Sequence, residues 1–172
     1  MEIRHLREED DRSHFQSGTP ELDRFFRQFA GQNQFKHHIG VTYVAIDNGR
    51  ILGFVTIAAG HIEMEDLPTS ERKRLPRYPL PVVRLARLAV DASARGQGVG
   101  AKLLRFVVIL AVRLANDYGC IGVVVDAKPD AIDFYSRYGF IAADALEGQS
   151  DARPQPVMMY LSLHEIEESI GE

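Results

Sequence analysis

The run Leu85-Ala86-Arg87-Leu88-Ala89-Val90 is short, largely apolar and ends on a β-branched residue. It leads into Asp91-Ala92-Ser93-Ala94-Arg95-Gly96-Gln97-Gly98-Val99-Gly100, and an apolar stretch follows from Ala101-Lys102-Leu103-Leu104. Read in order, this is a buried strand, a turn with glycine at alternate positions and the start of a helix. Glycines at 96, 98 and 100 leave the backbone without Cβ atoms, so consecutive N–H groups can converge on one guest. The unpaired amides and positive dipole end of the helix then favour a phosphate or pyrophosphate. Arg95 is placed to add a bidentate contact to the same charge. The competing reading is a tight strand-to-helix connection that holds no ligand.

Spacing narrows the ligand. A P-loop needs Gly-Lys-Ser or Gly-Lys-Thr, whereas Lys102 follows Ala101 and precedes Leu103, so the magnesium-binding hydroxyl is missing. A dinucleotide fingerprint places its third glycine three residues after the second, and here Gly100 comes too early.

The 172 residues suit one domain, and 45% apolar with 26% charged residues is an ordinary globular composition. A net charge of −4 argues against a chain-wide grip on nucleic acid. The single cysteine, Cys120, excludes an internal disulfide and reads as a small core residue. No signal-peptide core follows Met1 and no apolar run approaches bilayer length, so a soluble, cytoplasmic protein without membrane contact is expected.

Before the central stretch, residues 3 to 15 read as a short edge strand or a loop. A helix is expected from about Thr19 to Phe35, capped by Thr19, with Pro20 in its first turn and Leu22, Phe25, Phe26, Phe29 and Ala30 on its core face. Adjacent His37 and His38 lack acidic or cysteine partners nearby and read as solvated loop residues, so no metal is expected. Asn48-Gly49 between Val41–Ile46 and Ile51–Ala58 predicts an antiparallel hairpin, with Gly53 marking a bulge or a close backbone approach. One short helix is expected within residues 67 to 75, then an extended entry through Pro79 and Pro81 into a strand over 82 to 90.

The helix from Gly98 to about Asp117 reads as apolar on most sides, hence largely covered, and as ended by Gly119. A strand over Ile121–Asp126 follows, and strand, helix, strand implies parallel neighbours. A short helix over Pro129–Tyr138 stops at Gly139, and Phe140-Ile141-Ala142 leads into another strand. Asp144 to Pro156 reads as a mobile hairpin loop and Pro156–Leu161 as a strand. The acidic segment 162–172, with Leu163, Ile166 and Ile170 on one edge, reads as a docked helix, a partner or homodimer contact, or a frayed tail.

Arg95-Gly96-Gln97-Gly98-Val99-Gly100 resembles the Arg/Gln-x-x-Gly-x-Gly/Ala loop of the GNAT superfamily of N-acetyltransferases. About thirty residues on, Asp126 to Phe140 resembles that family's second signature, a strand and then a helix ending Phe134-Tyr135-x-x-x-Gly139-Phe140. The resemblance implies an α+β fold of three α/β layers, with a mixed central sheet splayed between two parallel strands and flanked by helices. The whole chain, 1–172, would then be a single such domain. It implies acetyl-coenzyme A as co-substrate, its pyrophosphate on Arg95, Gly96, Gln97, Gly98, Val99, Gly100 and Ala101. The backbone of Leu88, Ala89 and Val90 would pair with its pantetheine arm, and Ala131, Phe134 and Tyr135 would line it.

The implied reaction is attack of a free amine on the thioester. An α-amino group with pKa near 8 is already partly neutral, so no strong base is required. The resemblance makes Tyr135 the general acid toward the departing sulfur and the Ala89 N–H the donor to the developing oxyanion. A phenol near 10 protonates a thiolate of pKa about 8.5 uphill by roughly 2 kcal/mol unless its surroundings lower its pKa. Tyr138, one turn later, reads as core.

Phe15-x-x-Gly18-x-x-x-Leu22-Asp23, Thr42-Tyr43-Val44 and Pro79 to Asp91 extend the resemblance to the GNAT-type toxins of bacterial type II toxin–antitoxin systems. That resemblance implies acetylation of aminoacyl-tRNA and neutralisation by a ribbon-helix-helix antitoxin. The chain departs from the pattern in being acidic overall, and Arg72, Lys73, Arg74, Arg77, Arg84 and Arg87 are the residues left to supply a local phosphate track. Of these, Arg77, Arg84 and Arg87 are the expected substrate contacts. The alternatives are an ordinary member of the superfamily that acetylates a small amine or a protein amino group, and a non-catalytic acyl-coenzyme A module.

Overall fold

The computed structural model describes residues 1–73, 75–143, 156–164 and 166. Seven strands hydrogen-bond in the order β1-β2-β3-β4-β5-β7-β6. They are β1 (Glu2–His5), β2 (Val41–Asp47), β3 (Arg50–Ile62), β4 (Leu80–Val90), β5 (Gly122–Ala127), β6 (Ile141–Ala142) and β7 (Val157–Ser162). The chain forms two compact units, Met1–Ala58 with Leu85–Leu110 and Ala59–Arg84 with Ala111–Glu172.

In the first unit β1 pairs antiparallel with β2, and the hairpin expected at Asn48-Gly49 joins β2 to β3. Both expectations for Gly53 hold. Ala45 faces Gly53 while Ile46 faces Ile51, so Leu52 is the extra residue of a bulge. A Cβ on Gly53 would also lie 3.0 Å from both the Ala89 carbonyl and the Val99 side chain. The freed Leu52 carbonyl accepts the Asp91 N–H at 2.8 Å, which ties the end of β4 to β3.

The expected helix over Thr19–Phe35 forms in three pieces: α1 (Pro20–Arg24), a π-helical turn (Phe25–Phe29) and α2 (Ala30–Phe35). The Ala30 N–H reaches back to the Phe25 carbonyl, the wider spacing of a π turn, while Phe25, Phe26 and Ala30 stay buried. Aromatic packing therefore prevails over α-helical regularity. Phe26 stacks on Phe54 at 4.3 Å, with Phe15 edge-on to both, and each such ring removed from water contributes about 1.5–3 kcal/mol. Thr19 occupies the cap position, but its side chain makes no capping bond. The Ser17 hydroxyl instead accepts the Thr19 N–H at 3.2 Å and donates to Asp23 at 2.6 Å.

In the second unit, α3 (Thr69–Arg72) is the short helix expected there. β7 lies between β5 and β6 and is antiparallel to both. Ile62, Leu67, Leu80, Val82, Val124 and Tyr160 form its core. A Cβ on Gly122 would collide with the Leu161 carbonyl, so only glycine lets β5 and β7 approach this closely. The loop expected between Asp144 and Pro156 falls outside the described residues up to 155, as does Ile170.

Helix α4 (Val99–Asp117) follows the glycine turn as expected, and the Tyr118 and Gly119 N–H groups close its end on the Leu114 carbonyl. It is less thoroughly covered than its composition suggests. Leu103, Leu104, Val107 and Ala111 are buried, but Ile109 is 50% exposed beside the exposed Arg105 and Arg113. β5 is the hydrogen-bonded neighbour of β4 that the strand-helix-strand order predicts.

Candidate active site

Beyond β4 the chain makes a 3-10 turn (Ala92–Ala94), then the glycine turn, then α4. Gly96 and Gly98 sit at φ +78° and +77°, where an L side chain is strained, and the space a Cβ would occupy is open at both. The expectation for Gly100 differs in one respect. It is not among the positive-φ residues and forms part of the first helical turn. The first helical bond into α4 runs from the Lys102 N–H to the Gly98 carbonyl at 3.1 Å. The N–H groups from Gly96 through Ala101 donate to no carbonyl or side chain among the described residues. That is the donor set an anion requires.

Asp91 fixes the start of this loop. It is 5% exposed, and its carboxylate accepts from the Ser93 N–H at 3.0 Å, the Ser93 hydroxyl at 2.6 Å and the Gln16 N–H at 3.0 Å, with Arg50 at 3.5 Å. Burial works to raise its pKa, but these bonds and the Arg50 charge outweigh it and hold the carboxyl below its usual value. Arg95 is exposed but already engaged, because its guanidinium donates to the Ser17 carbonyl. The bidentate anion contact expected of it is therefore reduced to the donors that remain. The Gln97 side chain leans toward the Ser93 carbonyl at 3.5 Å.

In β4, Leu88 and Val90 are half-buried and Ala89 is buried. The Asp91 N–H and the Ala89 carbonyl both face β3. A strand residue projects its N–H and C=O to the same side, and successive residues alternate. The Ala89 N–H thus faces β3 as well, which takes it out of the oxyanion-donor role expected of it, and the backbone groups of Leu88 and Val90 project away from β3.

Tyr135 lies on α5 (Ile132–Arg137), which follows a 3-10 turn ending at Ala131. Its ring is 6% exposed and packs edge-on against Phe134 at 5.1 Å and Phe140 at 5.3 Å. Its carbonyl accepts the Tyr138 and Phe140 N–H groups at the helix end. The hydroxyl makes no hydrogen bond among the described residues. The lowering of its pKa that would ease proton transfer is reversed, since burial raises it to about 12. Tyr138, expected in the core, is 41% exposed and packs on Phe134 with one edge.

The three expected substrate arginines differ. Arg77 is exposed, Arg84 pairs with Asp126 at 3.4 Å, and the Arg87 guanidinium sits 3.8 Å over the Phe25 ring, where burial lowers its pKa. Arg72 donates to the Leu67 and Glu65 carbonyls, which makes it part of the local fold, and Arg74 lies outside the described residues. His37 and His38 are exposed, and no group of three metal-ligating side chains converges among the described residues. No helix there is long and apolar enough to cross a membrane.

Sequence reasoning missed the polar frame of the loop. The signal for Asp91 was present, since Asp-x-Ser is a local capping pattern. Nothing local links Asp91 to Gln16, 75 residues away in sequence.

The family profile described as "Acetyltransferase (GNAT) domain" matches residues 38–142. The tRNA-acetylating toxin of Mycobacterium tuberculosis (strain ATCC 25618 / H37Rv) is 35% identical over 138 residues, covering 80% of this chain and 82% of that protein. Among solved structures, AtaT complexed with acetyl-methionyl-tRNAfMet superposes with a TM-score of 0.84 at 26% identity, covering 98% of each chain. AtaTR bound with AcCoA gives a TM-score of 0.78 at 26% identity, covering 98% of this chain and 97% of that one.

Proposed function

Because the chain belongs to the GNAT family of acetyltransferases, we propose that it uses acetyl-coenzyme A to acetylate the α-amino group of aminoacyl-tRNA, as a toxin restrained by an antitoxin. The row of amides from Gly96 through Ala101, unpaired among the described residues, carries the coenzyme half of this reading. The 35% identity to a tRNA-acetylating toxin over most of the chain supports the acceptor.

Acetyl-coenzyme A, when bound, supplies an activated thioester. The amides from Gly96 to Ala101 take its diphosphate, and the remaining donors of Arg95 add charge. Leu88 and Val90 offer the backbone groups that pair with its pantetheine arm, and an N–H of the same pair, in place of Ala89, donates to the thioester oxygen as it gains negative charge. Ala131 and Phe134 line the arm. The acceptor amine, partly neutral near pH 8, attacks the thioester carbon. As the C–S bond breaks, Tyr135 gives its proton to the departing sulfur, and the proton the amine sheds on forming the amide passes through solvent to restore the phenol.

A pKa of about 12 against a thiol near 8.5 sets that proton transfer uphill by about 5 kcal/mol if the thiol keeps its value in water. The desolvation that raises the phenol raises a thiol beside it too, as burial does for Cys120, and so narrows the gap. Arg77 and Arg84 are the residues proposed to meet tRNA phosphates, with Arg87 stacked on Phe25 as a weaker contributor.

Incubation with labelled acetyl-coenzyme A and a mixed pool of charged tRNA tests the reading. Label recovered as N-acetyl-aminoacyl ester is the expected result. Label on small amines or protein amino groups alone would overturn the tRNA assignment, and coenzyme binding without thiol release from any amine would overturn catalysis.

A further inference from the structure

Residues 16 and 17 lie far from the glycine loop in sequence, yet both are hydrogen-bonded to the segment that leads into it. The Gln16 N–H donates to Asp91 at 3.0 Å, and the Gln16 carbonyl accepts the Ala92 N–H at 2.8 Å. The Ser17 carbonyl takes the Arg95 guanidinium. Gly18, at φ +93°, lies against the end of the Arg95 side chain, since a Cβ there would be 2.6 Å from Nη2 and the guanidinium would have to shift.

Ser17 itself is held from the opposite direction. Asp23, 6% exposed on α1, accepts the Ser17 N–H at 2.9 Å and the Ser17 hydroxyl at 2.6 Å on the same oxygen, Oδ1. A buried carboxylate is costly unless it is satisfied, so its presence under an exposed loop calls for a reason beyond filling space.

We propose that Asp23 is a positioning residue for coenzyme binding. It fixes Ser17, the Ser17 carbonyl fixes the Arg95 guanidinium, and Arg95 thereby leads into the free amides of Gly96 through Ala101 in one preset geometry. The inference rests on the proposed coenzyme site and adds to it a residue that touches no substrate. Preorganised donors bind an anion without first giving up their own freedom, so loosening them weakens binding while leaving the chemical step alone.

Titration of the purified chain with coenzyme A by calorimetry, together with steady-state kinetics, separates the outcomes. Asp23→Ala is expected to weaken coenzyme binding about 10-fold and to raise the KM for acetyl-coenzyme A in parallel, with kcat at saturation within about twofold. Asp23→Asn keeps an acceptor oxygen at the same place and should restore binding to within about threefold of the parent. Combining Asp23→Ala with Arg95→Ala should weaken binding no further than Arg95→Ala alone, because the two act through one link. Circular dichroism confirms that each variant is folded, and Ser17→Ala, which removes the hydroxyl's bond to Asp23 and its bond from the Thr19 N–H but keeps the Ser17 N–H on Asp23, serves if Asp23→Ala does not fold.

Unchanged coenzyme affinity in folded Asp23→Ala, or in Ser17→Ala if that variant has to serve, would overturn the inference, as would full additivity with Arg95→Ala. If the parent chain itself fails to bind coenzyme A, the proposed function falls first and takes this inference with it.

Discussion

The glycine loop and Tyr135 each present polar groups without a partner among the described residues, but they are held by opposite means. The loop is framed by hydrogen bonds in which Asp91 accepts from Gln16 and Ser93, and the Ser17 carbonyl accepts from Arg95, with two carboxylates, Asp91 and Asp23, buried to hold the frame. The Tyr135 hydroxyl is framed by aromatic rings, and burial rather than a neighbouring charge shifts its pKa. A site for an anion needs donors aimed in fixed directions, which only directional bonds provide. A proton donor that must stay protonated gains from an apolar shell, because desolvation penalises its anion.

Removing the phenol oxygen breaks this contrast most sharply. Tyr135→Phe keeps both ring contacts, so thermal unfolding and coenzyme affinity should change little, while kcat falls by about 10²–10⁴-fold, the range for loss of a positioned acid. An unchanged kcat would make Tyr135 a packing residue. In the parent enzyme, the rate at saturating coenzyme should rise as the acceptor amine deprotonates near pH 8 and then hold to at least pH 10, since the phenol titrates at about 12. A descending limb centred below pH 10 and absent from Tyr135→Phe would show that charge, not burial, sets its pKa.

The loop is tested by separating its glycines. Gly98→Ala meets no atom but must adopt φ +77°, a cost of about 1–2 kcal/mol that should appear as roughly 5–30-fold weaker coenzyme A binding or an equivalent loss of stability. Gly100→Ala lies in the first turn of α4 without positive φ and should stay within about twofold in calorimetry. Equal losses at both positions would mean that close approach of the ligand, not backbone shape, requires glycine there.

This difference also marks what the sequence could reveal. The strand, glycine turn and helix from Leu85 to Asp117 were legible because strand pattern, turn chemistry and helix pattern are local. Tyr135 was legible from a motif, but the direction of its pKa shift was not, because that depends on Phe134 and Phe140 closing over the ring. The π turn at Phe25–Phe29 was hidden by an ordinary helical pattern, and the Ala89 backbone direction was hidden because it depends on how the end of β4 meets β3, through the Asp91 N–H on the Leu52 carbonyl. The arginines of residues 72 to 87 read as one charge track, yet Arg72 serves carbonyls, Arg84 serves Asp126 and Arg87 serves a ring. Composition registers charge and is blind to partners.

The smallest expected effect concerns the polar frame under acid. Asp91 has a folded pKa below its unfolded value near 3.9, so its contribution is fully present above that pH and is lost as pH falls through the folded value. Stability of the parent, followed by urea unfolding, should therefore be insensitive to Asp91 from pH 7 down to about 5 and decline below about 4. Asp10 and Asp11 are lowered as well, by bonds from Arg4 and Ser13 respectively, so the parent alone does not isolate the effect. Asp91→Asn does, because it removes one titration and leaves the other two. The variant should be less stable at pH 7 by on the order of 1 kcal/mol, and the difference should shrink toward zero as the pH drops below 4. Tyr135→Phe, whose hydroxyl bonds to no described residue, should show no such convergence, and a gap for Asp91→Asn that stayed constant down to pH 3 would mean that the carboxylate charge contributes nothing to the frame.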